Sequence, residues 1–332
     1  MSDLGSIVLG DWGTSRLRLY RVHADRPRNR LDGPGIGALG VAPADALKAA
    51  LQPWLEGERP PVYLCGMAGS RNGLAEVAYL ELPAAPAEWA RRAHTLHLAT
   101  LAIHIAPGLK RQAEGIPDVM RGEETQIFGA LELEPALATG RHLIVLPGTH
   151  SKWVRVEDAR ITAFTTYITG ELYALLASAS TLLRTATPVV VAPHGGENPA
   201  TAADGLPAGF DAGLARSRDV QGLSATLFET RSRQLIDGQS ADWAANFLSG
   251  VLIGAEIKGA LDAARAVPHK APPNHAAPPF TSVRLIGDPS LTRRYRHALE
   301  LAGVNAEARD GDECAIAGLS LLARLRSRRI SA

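Results

Sequence analysis

The chain has little cysteine, almost no net charge and no long run of apolar residues. Its two cysteines, Cys65 and Cys314, lie far apart, so neither a disulfide framework nor a zinc site is indicated. A formal charge of +1 provides no field that draws the whole protein to nucleic acid or a membrane, so neither is an expected partner. No signal-like N-terminus and no run near roughly 20 apolar residues is present, which predicts a soluble, cytoplasmic protein.

The composition is that of a globular protein, with 46% hydrophobic and 21% charged residues. A chain of 332 residues suits two domains of ordinary size. We place the boundary at the polar break Ala138–Gly140, which gives an N-terminal domain of residues 1–139 and a C-terminal domain of residues 140–332. Because the net charge is close to zero, function is expected to depend on small local sites.

One pattern occurs twice. Residues 7–19 and residues 144–156 each contain an apolar strand, a turn with Gly-Thr and further hydroxyl or basic residues, and an alternating strand. Each copy predicts a β-hairpin whose turn presents backbone N–H groups and hydroxyls, which suit phosphate oxygens. Two such hairpins indicate a protein that holds one nucleotide with two lobes.

The first copy ends its strand on Asp11 and continues with Gly13, Thr14 and Ser15. A carboxylate beside a phosphate-binding turn is suited to hold Mg²⁺ through water. Gly13 allows close approach of the backbone, and the two hydroxyls can donate hydrogen bonds. The alternative is an ordinary turn, in which all these residue types are common.

The second copy contains Gly148, Thr149, His150, Ser151 and Lys152. Lys152 offers a point charge for a phosphate, and His150 a ring N–H. The alternative is again a structural turn, with Lys152 merely solvated.

A pair of acidic residues, Glu123 and Glu124, begins a predicted helix from Glu123 to Leu133. Carboxylates at a helix N-terminus complement the helix dipole. A carboxylate there can also accept the proton of an attacking hydroxyl in phosphoryl transfer. The local sequence leaves both interpretations open.

Arginines next to glycine-rich turns are candidates for binding an acidic substrate. The loop Gly66–Gly73, which follows a predicted strand, contains Gly69, Ser70 and Arg71. Arg16 and Arg18 share one face of the strand after the first turn. In the second half, Gly287 and Asp288 lie between a strand and a helix and are candidates for contacting adenine or ribose.

Further elements follow from hydrophobic periodicity and from glycine and proline positions. We expect strands at residues 6–9, 15–22, 62–65, 98–105 and 161–169, and helices at 44–55, 241–264, 291–302 and 313–326. A helix is also expected to start at Glu171. Residues 188–213 and 268–279 are expected to be loops, the first a candidate lid, and Gly318 predicts close helix packing.

These motifs resemble the sugar kinase, Hsp70 and actin superfamily, whose members have two RNase-H-like lobes that close on ATP. Four strings are similar to those of the 2-dehydro-3-deoxygalactonokinase family. They are Asp11-x-Gly-Thr-Ser-x-x-Arg18, Gly66-Met-x-Gly-Ser-Arg71, Arg121-Gly-Glu-Glu-Thr-Gln126 and Leu146-Pro-Gly-Thr-His-Ser-Lys-Trp153. The resemblance implies an α/β fold with two actin-like lobes. It further implies an adenosine loop at residues 283–288 and a last helix, about residues 313–327, that packs back toward the N-terminal lobe.

The resemblance also implies an activity: transfer of the ATP γ-phosphoryl group to the 6-hydroxyl of 2-dehydro-3-deoxy-D-galactonate, a step of galactonate catabolism. The site residues that it implies are Glu124 as base (Glu123 as the alternative), Asp11 for Mg²⁺, Gly13, Thr14, Ser15 and Gly148–Lys152 for phosphates, Gly287 and Asp288 for the nucleoside, and Arg16, Arg18, Gly69, Ser70 and Arg71 for the sugar acid.

Two departures from the superfamily pattern keep alternatives open. Leu146 and Pro147 stand where many members carry an aspartate, so Mg²⁺ rests mainly on Asp11. The Glu123–Glu124 pair is more like the exopolyphosphatase branch. An exopolyphosphatase-like hydrolase, a kinase of a related sugar or sugar acid, and a non-catalytic actin-like scaffold therefore remain alternatives, and the sequence leaves a homodimer and the preferred sugar epimer open.

Overall fold

The computed structural model describes residues 6–23, 26–55, 59–113, 115–183, 206–219, 222–266 and 280–330. The protein is mixed α/β, as the sequence predicts. Its strands are β1 (Ile7–Trp12), β2 (Arg16–His23), β3 (Arg26–Pro34), β4 (Val62–Gly66), β5 (Leu80–Glu81), β6 (His94–Leu98), β7 (Leu101–Ile105), β8 (Leu109–Ala113), β9 (Ile116–Met120), β10 (Arg141–Leu146), β11 (Ser151–Glu157), β12 (Arg160–Tyr167), β13 (Ser282–Gly287) and β14 (Glu307–Asp310).

Several helices start at proline, whose fixed φ suits the first helical position. The helices are α1 (Pro43–Leu51), α2 (Pro86–Arg91), α3 (Glu123–Leu133), α4 (Thr169–Ala179), α5 (Ala208–Arg216), α6 (Leu223–Ile236), α7 (Ala241–Ala266), α8 (Pro289–Leu301) and α9 (Gly311–Ile330). By length and composition alone, Ala241–Ala264 could cross a membrane, but 78% of its most apolar window is buried inside the protein. Such burial is typical of a core helix.

The first sheet has the strand order β3-β2-β1-β4-β7-β6. Strand β2 is antiparallel to both β1 and β3, whereas β4 runs parallel to both β1 and β7. This succession is that of an RNase-H-like sheet. Strand β1 is central and almost wholly buried, which explains its nearly continuous apolar sequence. The carboxyl ends of β1 and β4 meet at one edge of the sheet.

The second large sheet has the order β12-β11-β10-β13-β14. It repeats the succession of the first sheet: the third strand, the second, the first and then a strand from later in the chain. A small third sheet has the order β5-β8-β9. The repeated topology confirms the predicted fold class, with two RNase-H-like sheets.

The chain folds into two compact units. The first comprises Met1–Ile144, Val154–Phe164 and Arg309–Ala332, and the second Val145–Trp153 and Thr165–Ala308. The predicted division at residues 139 and 140 stays a prediction.

Within the first unit, α3 and α9 cross with almost no space between their backbones. A Cβ atom on Gly318 would overlap the carbonyl oxygen of Thr125, and one on Gly129 would overlap that of Cys314. Only glycine allows helices to approach so closely. The close packing predicted at Gly318 is confirmed, and it places α9 directly behind the start of α3.

Two predicted elements are wrong in detail. Residues 98–105 are not one strand, because Ala99 has a φ of 55° and begins the turn of the hairpin between β6 and β7. The predicted loop at 188–213 ends early, because α5 starts at Ala208. Its Gly209 and Gly213 lie against the backbone of α7, so these glycines serve helix packing rather than a loop. Residues 188–205 of that loop, and residues 268–279, lie outside the described residues.

Candidate active site

The first predicted hairpin is present in the first unit. The Gly13 N–H donates to the Arg16 carbonyl at 2.8 Å and closes the turn. Thr14 and Ser15 form the tip and are exposed. Both residues are therefore accessible to an anion.

The glycine-rich segment Gly35–Gly37, after β3, supports this turn through backbone hydrogen bonds. The Ile36 N–H donates to the Gly13 carbonyl at 3.0 Å, and the Gly37 N–H donates to the Thr14 carbonyl at 2.9 Å. A Cβ atom on Gly35 would overlap the backbone of the turn. This support was not predicted from the sequence, although the closely spaced glycines at 33, 35 and 37 were a visible signal.

Asp11, the penultimate residue of β1, lies in a network of charges. Its Oδ2 lies 3.2 Å from Arg18 Nη1, and its Oδ1 accepts a weak hydrogen bond from Cys65 Sγ at 3.7 Å. Arg18 also contacts Asp312 Oδ1 at 3.3 Å. Burial raises the pKa of Asp11 above its usual value, and the Arg18 guanidinium opposes this shift. Arg18 thus holds the Asp11 carboxylate.

The start of α3 presents two carboxylates in different environments. Glu124 is fully buried; its Oε2 accepts from the Gly122 N–H at 2.7 Å and its Oε1 from the Thr125 hydroxyl at 3.2 Å. Burial, followed by repulsion from Glu123, raises the pKa of Glu124 to about 8. Glu123 is partly exposed and accepts from the Arg121 N–H at 3.1 Å.

Close backbone packing brings this helix start to Asp11. Gly66, the last residue of β4, has a φ of 74°, and its Cα lies 3.2 Å from the point where a Cβ of Gly122 would lie. Burial and the negative charges of Asp11 and Glu124 raise the pKa of the Cys65 thiol well above its usual value. The two predicted catalytic carboxylates therefore both lie close to Cys65, Asp11 near the carboxyl end of β1 and Glu124 at the start of α3.

The predicted sugar-acid arginines differ in their contacts. The Arg71 side chain is 84% exposed, and its Nε lies 3.7 Å from Glu76 Oε2. Arg16 is exposed, whereas Arg18 is held by two carboxylates. Ser70 donates to the Met67 carbonyl at 2.8 Å and closes the turn that carries Arg71.

Arg121 begins one of the strings that are similar to the family, but no role was predicted for its side chain. Its guanidinium lies 4.2 Å from the centre of the Tyr79 ring, and its Nη2 donates to the Val77 carbonyl at 2.8 Å. Its Nη1 packs against Gly69: a Cβ atom built on Gly69 would lie only 2.7 Å from Arg121 Nη1. Arg121 therefore connects the start of α3 to the glycine-rich loop.

The second predicted turn lies in the second unit, between β10 and β11. Thr149 and His150 are exposed at its tip. The start of α4 packs against it: Gly170 contacts the Gly148 backbone, and the Glu171 N–H donates to the Thr149 carbonyl at 3.0 Å. His150 Nε2 lies 2.5 Å from Glu171 Oε2.

The two residues that follow the tip are buried. Lys152 is 4% exposed, and its Nζ donates to the His150 carbonyl at 3.4 Å. The alternative of a solvated Lys152 is wrong, because the start of β11 is covered on both faces. Ser151 is fully buried, with its Oγ 3.1 Å from the Tyr295 hydroxyl.

The predicted adenosine loop is close to this turn within the same unit. A Cβ on Gly287 would lie 3.5 Å from the Pro147 carbonyl oxygen. Asp288 caps α8: its Oδ1 accepts from the Ser290 N–H at 2.9 Å. The observed role of Asp288 is structural, and a nucleoside contact stays a prediction.

Comparison with known proteins identifies the family. The family model described as 2-keto-3-deoxy-galactonokinase matches residues 11–322. The chain belongs to this family. A probable 2-dehydro-3-deoxygalactonokinase of Rhizobium meliloti (strain 1021) is 38% identical over 335 aligned positions, which cover 98% of each chain. The 2-dehydro-3-deoxygalactonokinase of Escherichia coli K12 is 34% identical, with 94% of this chain and 96% of the relative covered.

A solved structure agrees with these kinase relatives. The crystal structure of a candidate 2-dehydro-3-deoxygalactonokinase from Sinorhizobium meliloti is 36% identical and superposes with a TM-score of 0.77, covering 96% of this chain and 98% of the other. Membership of the 2-keto-3-deoxy-galactonokinase family thus extends over nearly the whole chain, and the family is one of phosphotransferases with an alcohol acceptor.

Proposed function

We propose that this protein is an ATP-dependent kinase that phosphorylates the 6-hydroxyl of 2-dehydro-3-deoxy-D-galactonate, giving the 6-phosphate and ADP in galactonate catabolism. Family membership supports the activity and ATP as the cosubstrate. The observation that carries the proposal is that Asp11 and the buried Glu124 both lie close to Cys65, Asp11 near the carboxyl end of β1 and Glu124 at the start of α3. Because ATP is the donor, we assign the reaction to the cytoplasm.

Glu124 is the proposed general base. A base is most effective when its pKa lies near the working pH, and burial brings the pKa of Glu124 to about 8. Contact with the sugar hydroxyl requires a local rearrangement that uncovers one of its oxygen atoms, because Glu124 is 0% exposed. Once uncovered, the carboxylate orients the 6-hydroxyl and accepts its proton as the oxygen attacks phosphorus. Glu123 is the alternative base.

The two hairpin turns are the proposed phosphate sites. Thr14 and Ser15 at the first tip, and Thr149 and His150 at the second, offer hydroxyl, ring and backbone donors to phosphoryl oxygens. Lys152, which is buried next to the second turn, contributes positive charge. Hydrogen-bond donors that are already in place before the reaction stabilise the negative charge that develops on the phosphoryl group in the transition state.

Asp11 is the residue that fits Mg²⁺. Among the described residues, no group of three or more His, Cys, Asp or Glu side chains could hold a metal. A single carboxylate at the edge of a phosphate site suits Mg²⁺ that keeps its waters and is held chiefly by nucleotide phosphates. Bound there, Mg²⁺ would neutralise charge on the phosphates; the Arg18 contact orients the Asp11 carboxylate toward that role.

The carboxylate of the sugar acid requires a cation, and Arg71 is the proposed one. Its side chain is 84% exposed, whereas Arg18 is held by Asp11 and Asp312. A guanidinium binds a carboxylate with two parallel hydrogen bonds. Arg16, also exposed, is the second candidate.

ADP release by the purified protein with MgATP tests this function. Three reactions are compared: 2-dehydro-3-deoxy-D-galactonate, its gluconate epimer, and no acceptor. Release that depends on the galactonate-derived acid supports the proposal. Equal release without acceptor would indicate a phosphohydrolase, and the absence of release with every acceptor would contradict a kinase.

A further inference from the structure

A buried carboxylate in the second unit contacts neither of the proposed reacting groups. Glu256 lies in the core helix α7 and is 3% exposed. Its Oε1 accepts from the Trp153 indole N–H at 2.7 Å, and its Oε2 accepts from the Tyr295 hydroxyl at 2.7 Å. The hydroxyls of Thr169 and Ser151 also donate to it.

These four donors belong to three different segments. Ser151 and Trp153 begin β11, directly after the second phosphate turn. Thr169 begins α4, whose next two residues pack against the same turn. Tyr295 lies in α8, the helix that follows the predicted adenosine loop. One carboxylate therefore connects the end of the phosphate turn, the start of the helix packed against that turn, and the helix that follows the predicted adenosine loop.

The chemistry of the donors requires a carboxylate at the centre. An indole N–H is a donor only, and a carboxylate can accept on two oxygens with several lone pairs. A glutamine amide accepts on one oxygen and presents N–H groups to the remaining donors. Burying a carboxylate also costs free energy unless it is hydrogen-bonded, so packing of α7 alone gives no reason for Glu256.

We propose that Glu256 is a positioning residue that fixes the geometry of the second phosphate turn, Gly148–Lys152, and thereby the affinity for the nucleotide. The proposal rests on the proposed function, since it assumes that this turn binds phosphates. Glu256 acts through Ser151, Trp153, Thr169 and Tyr295, whose hydroxyl also contacts Ser151, and does not touch the nucleotide itself. At metal sites, loss of a residue that supports a ligand typically costs about 10- to 100-fold in affinity or activity, and we expect an effect of the same order at this turn.

Binding of MgADP to the full-length protein, measured by titration calorimetry, tests the inference without any sugar acid. We expect Glu256→Gln to weaken binding by about 10-fold or more, on the scale of other supporting contacts. Steady-state assays should show a raised KM for MgATP with an unchanged KM for the sugar acid. A general loss of structure would instead affect both constants.

The matched control is Glu229→Gln, the same chemical change in the same unit. Glu229 joins α5 to α6 through Arg216 and also pairs with Arg233, so its described ion pairs lie outside the phosphate turn. This variant should bind MgADP like the wild type. Tyr295→Phe is a second test that keeps the carboxylate and removes one donor; we expect a smaller loss of MgADP affinity in the same direction.

The outcomes separate the two proposals. If the wild type binds MgADP while Glu256→Gln and Tyr295→Phe bind it equally well, the positioning role is wrong and the kinase function stands. If Glu256→Gln does not fold, unchanged binding by Tyr295→Phe overturns the inference on its own. If the wild type binds no nucleotide, the proposed function fails and the inference fails with it.

Discussion

Arg18 lies directly opposite Asp11 across the first hairpin, and its Nη1 contacts the Asp11 carboxylate at 3.2 Å. The same guanidinium reaches Asp312 at 3.3 Å, at the start of α9. Tyr20 and Arg30 also bind Asp312, at 2.8 and 2.9 Å. The C-terminal helix therefore helps to orient the carboxylate that is proposed to hold Mg²⁺, through residues that are distant in sequence.

Removal of Arg18 should impair the Asp11 site without removing the substrate site. Burial raises the pKa of Asp11, and the Arg18 guanidinium opposes this shift. In Arg18→Ala that opposition is lost, so the pKa of Asp11 should rise further. We expect turnover to fall about 10- to 100-fold, as for other residues that support a ligating group, and the MgCl₂ concentration for half-maximal activity to increase. Arg59→Ala is the control, because Arg59 contacts the Thr100 hydroxyl and the Leu55 carbonyl and has no proposed role in the site; an equal loss in that variant would contradict a specific role for Arg18.

Replacement of Arg71 should affect the sugar acid and not ATP. A hydrogen bond to a charged group is worth about 1.5–3 kcal/mol, so Arg71→Ala is expected to raise the KM for the sugar acid by roughly 10- to 100-fold. The KM for MgATP should stay unchanged. Glu76→Gln removes the ion-pair partner of Arg71 and should leave the KM of the sugar acid near its wild-type value. If Arg16→Ala raises this KM instead, the carboxylate binds there.

Local pattern was sufficient to predict much of the fold. The first hairpin was predicted because an apolar strand, a glycine turn and an alternating strand follow one another, and the start of α3 at Glu123 because an acidic pair follows Gly122. By contrast, β3 (Arg26–Pro34) was missed, because it is an edge strand whose sequence is mostly polar. Strands β5, β8 and β9 are short and polar or contain proline, so they show no clear period-two pattern.

The candidate site was predictable only where a motif is continuous. Asp11, Glu124 and the two turns lie in short recognisable strings. The contacts of Arg18 with Asp312, and of Glu256 with Trp153 and Tyr295, join residues that are distant in sequence. No local pattern contains such pairs, because the fold alone brings these side chains together.

Two glycines in helices should respond to alanine in opposite directions. Gly318→Ala forces a Cβ atom into the Thr125 carbonyl, so we expect the free energy of unfolding to fall by about 1–3 kcal/mol, the usual cost of overpacking. Gly259 in α7 has space, since a Cβ there would lie 3.8 Å from the Tyr167 hydroxyl. Gly259→Ala should stabilise the protein by about 0.4–1 kcal/mol. Urea unfolding measures both, and equal stability of the two variants would contradict the close crossing of α3 and α9.

The two acidic residues at the start of α3 are separated by a matched pair of variants. Glu124→Gln should lower kcat by about 100-fold or more, the usual scale for a general base, with MgADP binding retained. Glu123→Gln should have a much smaller effect, because Glu123 is partly exposed and contacts the Arg121 N–H. The reverse order would assign the base to Glu123. Equal, small effects of both changes would remove the acidic pair from catalysis.

The raised pKa of Glu124 predicts opposite pH dependences for activity and stability. A base acts when deprotonated, so kcat/KM should rise with pH up to about 8, the pKa of Glu124, and then level off.

Since the pKa of Glu124 in the folded protein lies above the ordinary value of 4.5, the folded state favours the protonated carboxyl. This contribution to the free energy of unfolding is complete below about pH 4.5 and is lost as pH rises to about 8. Glu124→Gln resembles the protonated form, so its Tm should exceed that of the wild type at about pH 9, and the difference should shrink toward about pH 5. Thermal unfolding of both proteins across this range measures the effect, and a Tm difference that does not change with pH would show that Glu124 titrates alike in the folded and unfolded protein.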